Sequence, residues 1–136
     1  MARILVIDDE EPIRTRLCLF LESLEHEVVQ ASDGAEGVRL FLEEPADLVI
    51  TDIMVLGKYG LEVLREIRRS DPEVGVIVFS GYHPGRLSLA RALGASYTFK
   101  KPVSLQELGD AVEEFLERGS RGTTLLSRTN RTEPES

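Results

Sequence analysis

The 136 residues are 42% hydrophobic, enough for one well-buried core and too few for two full domains. A formal net charge of -8 excludes a general electrostatic grip on nucleic acid or on an anionic membrane surface, since both need clustered Lys and Arg. Cys18 is the only cysteine and the first residues enter a strand-like run with no signal-type apolar stretch, so a cytoplasmic protein without disulfides or membrane anchor is expected, with proteins or cations as partners.

The apolar residues alternate between short β-branched runs and longer stretches of helical period, the pattern of a βα repeat. Ile4 to Ile7 is continuously apolar, as a parallel strand covered on both faces should be. Ile13, Leu17, Phe20, Leu21 and Leu24 come next at helical spacing behind Glu10 and Glu11, with Pro12 suited to the first turn. Val28 and Val29 mark a weaker second strand, and Ala35, Val38 and Leu42 a second helix after Gly34. Leu48 to Ile50 is the third apolar run, and Leu61, Leu64 and Ile67 after Gly60 form the third helix. Val76 to Phe79 gives the fourth strand, and the fourth helix runs from Pro84 to Leu93, closed by Gly94. Tyr97 to Phe99 is short enough for an edge strand. The last helix carries Leu105, Leu108, Val112, Phe115 and Leu116, opened by Ser104 with Glu107 completing a capping box.

Strict strand–helix alternation favours right-handed crossovers and an α/β fold built on a doubly wound parallel sheet. The folded unit is expected to span residues 1–118. From Gly119 to Ser136 the chain is rich in Gly, Ser, Thr and Arg, with Leu125 and Leu126 as its only apolar pair, and a disordered tail is expected there.

In open parallel sheets, ligands bind beyond the carboxyl ends of the strands, near the point where strand order reverses. There the first strand ends in Asp8 and Asp9, the third in Asp52 and the fourth in Ser80, while the fifth runs into Lys100 and Lys101 before Pro102. Carboxylates gathered in this way raise one another's pKa unless a cation intervenes, and an all-oxygen set suits Mg²⁺ better than a soft metal. Singly, each residue has an ordinary reading: an acidic run favours a helix N-terminus, Asp52 and Ser80-Gly81 fit common turns, and Lys101 fits a solvated surface. Their joint placement at strand ends outweighs that reading. Cys18 sits within an apolar helix and reads as a core residue, and neither His26 nor His83 belongs to a metal-spaced pair. Arg65, Arg68 and Arg69 share their helix with Glu62 and Glu66 and read as a mixed solvated face.

With these residues in place, the chain resembles the response-regulator receiver family from Arg3 to about Arg118, through ILVIDDE, LVITDIM, VIVFSG and GASYTFKKPVSLQEL. The resemblance implies a flavodoxin-like sheet of strand order 2-1-3-4-5 with five helices, and a stand-alone, chemotaxis-regulator-like receiver. By position, Asp52 resembles the phosphoacceptor. Asp9, the Asp52 side chain and the Met54 backbone carbonyl resemble the Mg²⁺ ligands, with Asp8 acting through water. Ser80 resembles the hydroxyl that hydrogen-bonds a phosphoryl oxygen and Lys101 the lysine that pairs with it, while Lys100 is one place out of register. The function implied by the resemblance is that of a signalling switch, not an enzyme, that assists its own phosphorylation and dephosphorylation. A sensor histidine kinase or phosphotransfer protein would act upstream and a protein target downstream, with no nucleic acid or membrane, and the domain would be a monomer or a weak phosphorylation-dependent dimer.

Two rival readings are a Mg²⁺-dependent phosphohydrolase working through an aspartyl-phosphate, and a degenerate receiver acting only as a scaffold. The first usually places an acid two residues beyond the nucleophile, where this chain has Met54; against the second stand Asp9, Asp52, Ser80 and Lys101. Two departures from the family pattern concern mobility. Leu56 replaces a usual Pro in the loop after Asp52, and Thr98 replaces a usual switch aromatic. Tyr97 and Phe99 flank Thr98 but, by strand alternation, point to the other side.

Overall fold

The apolar runs become strands because β-branched side chains pack well on a pleated surface that is covered on both sides. The computed structural model describes residues 2–52, 54–55, 58–80, 88, 90–102 and 104–118. In chain order these form β1 (Arg3–Ile7), α1 (Glu11–Ser23), β2 (Glu27–Ala31), α2 (Gly34–Glu43), β3 (Leu48–Asp52), β4 (Met54–Val55), β5 (Lys58–Tyr59), α3 (Gly60–Ser70) and β6 (Gly75–Ser80). Helical residues 88 and 90–92 (α4), β7 (Tyr97–Lys100) and α5 (Leu105–Arg118) complete the order. The first residues of the expected fourth helix, Gly81 of the Ser80-Gly81 pair, Leu56 and the tail from Gly119 onward lie outside the described residues.

The main sheet has the order β2-β1-β3-β6-β7, and every neighbouring pair is parallel. Counting its strands alone, this is the expected order 2-1-3-4-5. Side chains alternate between two cores. Ile4, Val6, Leu48, Ile50, Ile77 and Phe79 pack with Leu17 and Leu21 of α1 and Leu108, Val112 and Phe115 of α5. Leu5, Ile7, Val49, Val76 and Val78 pack on the other side with Phe41 of α2, Val63, Leu64 and Ile67 of α3, and Ala90. Fully burying a branched or aromatic side chain is worth about 1.5–3 kcal/mol, so these two layers hold the sheet. Gly75 lets α5 come close: a Cβ there would lie 2.6 Å from Leu48 Cδ1 and 2.7 Å from the Phe115 ring.

Local signals act where the sequence places them. Asp33 caps α2 by accepting a hydrogen bond from Glu36 N at 2.8 Å, and Ser104 Oγ accepts from Glu107 N at 3.2 Å at the start of α5. Gly94, at φ 110, ends α4 in the left-handed region that glycine adopts without strain. Cys18 is buried among the α1 core residues, and burial, then the neighbouring Glu22, pushes its thiol up to about 11. No helix among the described residues is long and apolar enough to cross a membrane.

Two features depart from the sequence expectation. Past Asp52 the chain makes a short antiparallel ribbon, Met54 pairing with Tyr59 and Val55 with Lys58, where a plain loop was expected. Arg68 is not a solvated-face residue but a clasp. Its Nη1 donates to the carbonyls of Asp71 (3.3 Å), Pro72 (2.8 Å) and Val74 (2.6 Å), and its Nη2 to that of Gly94 (2.7 Å). It thereby satisfies loop carbonyls that the elements themselves leave open.

Candidate functional site

The strand order reverses between β1 and β3, so the carboxyl ends of these two strands stand side by side. Asp8 comes directly after β1 and is anchored there, its N–H donating to Ala31 O at 3.1 Å. Arg14, from the first turns of α1, reaches back to donate to the Asp8 carbonyl at 2.8 Å. Asp52 ends β3, with Thr51 Oγ1 donating to its carbonyl at 3.0 Å. Lys101 comes from beyond β7, two strands further along the sheet, a span of about 10 Å at ordinary strand spacing. A long side chain is therefore needed to reach Asp52. The Lys101 backbone is set by its own N–H, which donates to Ser80 O at 2.9 Å, next to a cis Lys101-Pro102 bond.

The Lys101 ammonium forms an ion pair and hydrogen bond with Asp52 Oδ2, and lies 3.7 Å from Asp8 Oδ2 and 3.4 Å from Glu10 Oε1. One cation thus faces three carboxylates. Its side chain is 20% exposed and that of Asp8 only 1%. Burial lowers the Lys101 pKa, but the hydrogen bond and charge of Asp52, then the charges of Asp8 and Glu10, outweigh it and hold the ammonium above its ordinary value. For Asp8 the balance tips toward the neutral form. Burial, opposed by the Glu10 N–H and by Lys101, leaves its carboxyl above the usual range. Its Oδ2 is buried without a hydrogen-bond partner.

Of the residues singled out in sequence, Asp8, Asp52 and Lys101 are brought into contact, and Ser80 is buried at the end of β6 between the strands that carry the last two. Asp9 is exposed beside Asp8 and stays outside the Lys101 ion pairs among the described residues. Met54 opens β4, two residues past Asp52. Lys100 is exposed at the end of β7, as its register requires. Glu10 is the member that sequence reasoning missed. It stood in the same acidic run, but read as a favourable charge at a helix start.

A family model for the response regulator receiver domain matches residues 4–113. The chain belongs to the response regulator receiver family. It is 31% identical over 117 residues to sporulation initiation phosphotransferase F of Bacillus subtilis, covering 84% of this chain and 93% of that protein. It is 33% identical over 124 residues to the transcriptional regulatory protein AfsQ1 of Streptomyces coelicolor, covering 91% of this chain; the receiver spans about half (55%) of that relative's length. A receiver domain protein from Clostridium thermocellum superposes with a TM-score of 0.83 at 37% identity, covering 87% of this chain and 96% of the other. The family and the doubly wound fold implied by the sequence are thus both shown, and the receiver is a domain of the two-component response-regulator type.

The raised Asp8 pKa has a measurable consequence. Because the folded receiver holds this proton more tightly than the unfolded chain, ionised Asp8 is a cost at neutral pH that is relieved as pH falls through its folded pKa. In metal-free buffer at neutral pH, Asp8→Asn should therefore raise stability by about 1 kcal/mol. The amide keeps an oxygen for the Glu10 N–H, which Asp8 Oδ1 now accepts at 2.9 Å. Urea denaturation from pH 7 to pH 4 should show the gap between variant and wild type closing; a constant gap would mean that Asp8 protonation does not differ between the two states.

Proposed function

We propose that the receiver accepts a phosphoryl group on Asp52 from a sensor histidine kinase or phosphotransfer protein, and that the added charge switches binding to a protein target. The observation that carries this reading is the Lys101 ammonium bound to Asp52 Oδ2 at the carboxyl end of the sheet, a cation waiting where an anion is to be made. In the transfer, an Asp52 carboxylate oxygen forms the new bond to phosphorus as the bond from phosphorus to the donor's imidazole nitrogen breaks, and the imidazole leaves with the electron pair. Lys101 moves with the negative charge from the carboxylate onto a phosphoryl oxygen, and the Ser80 hydroxyl donates to another. Lys101 and Ser80 are joined through the 2.9 Å backbone hydrogen bond, so their movement is shared.

The donor set fits a hard cation: it is all oxygen, and Asp8 Oδ2 is buried without a hydrogen bond. Asp9, the Asp52 side chain and the Met54 backbone carbonyl would hold Mg²⁺, with Asp8 acting through water. When bound, the ion supplies positive charge to the phosphoryl oxygens. Asp9→Ala should weaken Mg²⁺ binding about tenfold or more, read by metal titration; an unchanged titration would remove Asp9 from the set.

The output should run through β6, α4 and β7 without a swinging ring. Thr98 is 1% exposed, and its Oγ1 accepts from Arg91 Nη1 of α4 at 3.4 Å. Tyr97 and Phe99 belong to the core formed with α1 and α5, and Tyr97 donates to Glu114 Oε1 at 2.9 Å. A short side chain at 98 exchanges less buried area between states than a ring does, so the two states should differ by less free energy. Thr98→Tyr should accordingly change partner affinity several-fold while labelling changes less. A silent Thr98→Tyr would count against this route.

The reading as a whole is tested by incubating the chain with a small phosphodonor and Mg²⁺ and measuring intact mass. One added phosphoryl group, lost in acid or hydroxylamine, is the expected result. No added mass under saturating donor would overturn it.

A further inference from the structure

Glu10 occupies the N-cap position of α1, yet its side chain makes no capping hydrogen bond. Ser, Thr, Asp and Asn are the residues suited to that position, so helix formation does not account for a glutamate there. The backbone around it is fixed at both sides. Its N–H donates to Asp8 Oδ1 at 2.9 Å, and its carbonyl accepts from Arg14 N at 2.9 Å. This turn carries the carboxylate over Lys101, with Oε1 3.4 Å from Nζ, and the side chain remains 58% exposed. Glu10 therefore lies on the solvent side of Lys101, which in turn pairs with the buried Asp8 and Asp52.

We propose that Glu10 sets donor specificity: its carboxylate, paired with Lys101 at the outer side of the cluster, discriminates against free dianionic phosphodonors. The inference rests on Asp52 being the phosphoacceptor. A phosphoryl donor approaching Asp52 meets the Glu10 charge and must also take Lys101 from it. Both effects grow with the negative charge of the donor and shrink as salt screens the field. A donor presented by a bound protein brings its own contacts to offset this field, whereas a free anion has none.

The step to be measured is transfer from acetyl phosphate, in which an Asp52 oxygen bonds to phosphorus while the bond from phosphorus to the acetyl oxygen breaks and acetate leaves with the electron pair. Wild type, Glu10→Gln and Glu10→Asp are compared at saturating Mg²⁺, with acetyl phosphate as the dianionic donor and phosphoramidate as the donor carrying one negative charge less. Glu10→Gln should label about fivefold faster with acetyl phosphate at low donor concentration, through a lower apparent KM. It should gain less with phosphoramidate, and the advantage should collapse at high salt. Glu10→Asp, which keeps the charge, should stay near wild type. Equal gains with both donors, a gain insensitive to salt, or no gain at all would overturn the proposal. Asp52→Asn is run in parallel; if it labels as wild type does, or if wild type does not label with either donor, the phosphoacceptor reading fails and takes this inference with it.

Discussion

Asp52→Asn should lose acid-labile phosphate incorporation altogether, a fall of at least about a thousandfold in labelling rate, while the protein stays folded. The neutral amide is a poor nucleophile toward phosphorus, and no other described residue ends β3 in its place. Asp8 shares Lys101 with Asp52, but its Oδ1 is engaged by the Glu10 N–H and its pKa is raised by burial. Asparagine matches aspartate closely in volume, so the β3 terminus, its pairing with Phe79 and the Thr51 hydrogen bond should persist. Intact mass after treatment with acetyl phosphate and Mg²⁺ measures the loss, and circular dichroism checks the fold. Stoichiometric labelling of this variant would place the acceptor elsewhere.

Lys101→Met should have two large effects that arise from the same geometry. The substitution keeps an unbranched side chain of similar length but removes a cation that pairs at once with Asp8, Glu10 and Asp52. With Asp8 almost fully buried, the remaining charges repel, and the metal-free protein should lose about 2 kcal/mol of stability at neutral pH. Adding Asp8→Asn should recover part of that loss. The pH dependence has a definite sign. Since the folded-state pKa of Lys101 is raised, its stabilising contribution is complete below the ordinary lysine pKa and is lost as pH rises through the folded value. Wild type should therefore weaken in the alkaline range, and Lys101→Met should lack that part of the decline. The second effect is functional: labelling slows but survives, while the phosphorylated variant shows neither the amide shifts around Ser80 nor the change in partner affinity of phosphorylated wild type. Identical shifts in both proteins would mean that the ammonium does not couple the charge to β7.

Much of this arrangement could be read from the chain because the physics involved is local or periodic. The continuous apolar runs at Ile4 to Ile7 and Val76 to Phe79 identify buried parallel strands, and alternation alone separates Thr98 from Tyr97 and Phe99. Asp8, Asp52 and Lys101 could be found from the rule that places sites at strand ends. The contacts that escaped depend on distances between residues remote in sequence. Glu10 meets a lysine 91 positions away, and Arg68 meets the Gly94 carbonyl 26 positions away. No helical or strand period encodes either contact, and a charged residue on a helix looks the same from sequence whether it faces water or a set of loop carbonyls. The β4–β5 ribbon escaped for a different reason: two residues on each side are too few to show any period.

The position of Cys18 makes the molecule its own clock for opening. At neutral pH a thiol with a pKa of about 11 has only about one part in ten thousand as thiolate, and this one is also shielded by the helix it sits on. An alkylating reagent can reach it only when α1 lifts from the sheet or the whole chain unfolds. With reagent in excess, the rate of mass gain counts those events, and since the chain has no second cysteine the count needs no site assignment. Recorded with and without a phosphodonor, the same trace would register whether charge added at the far end of β3 loosens or tightens the helix packed behind it.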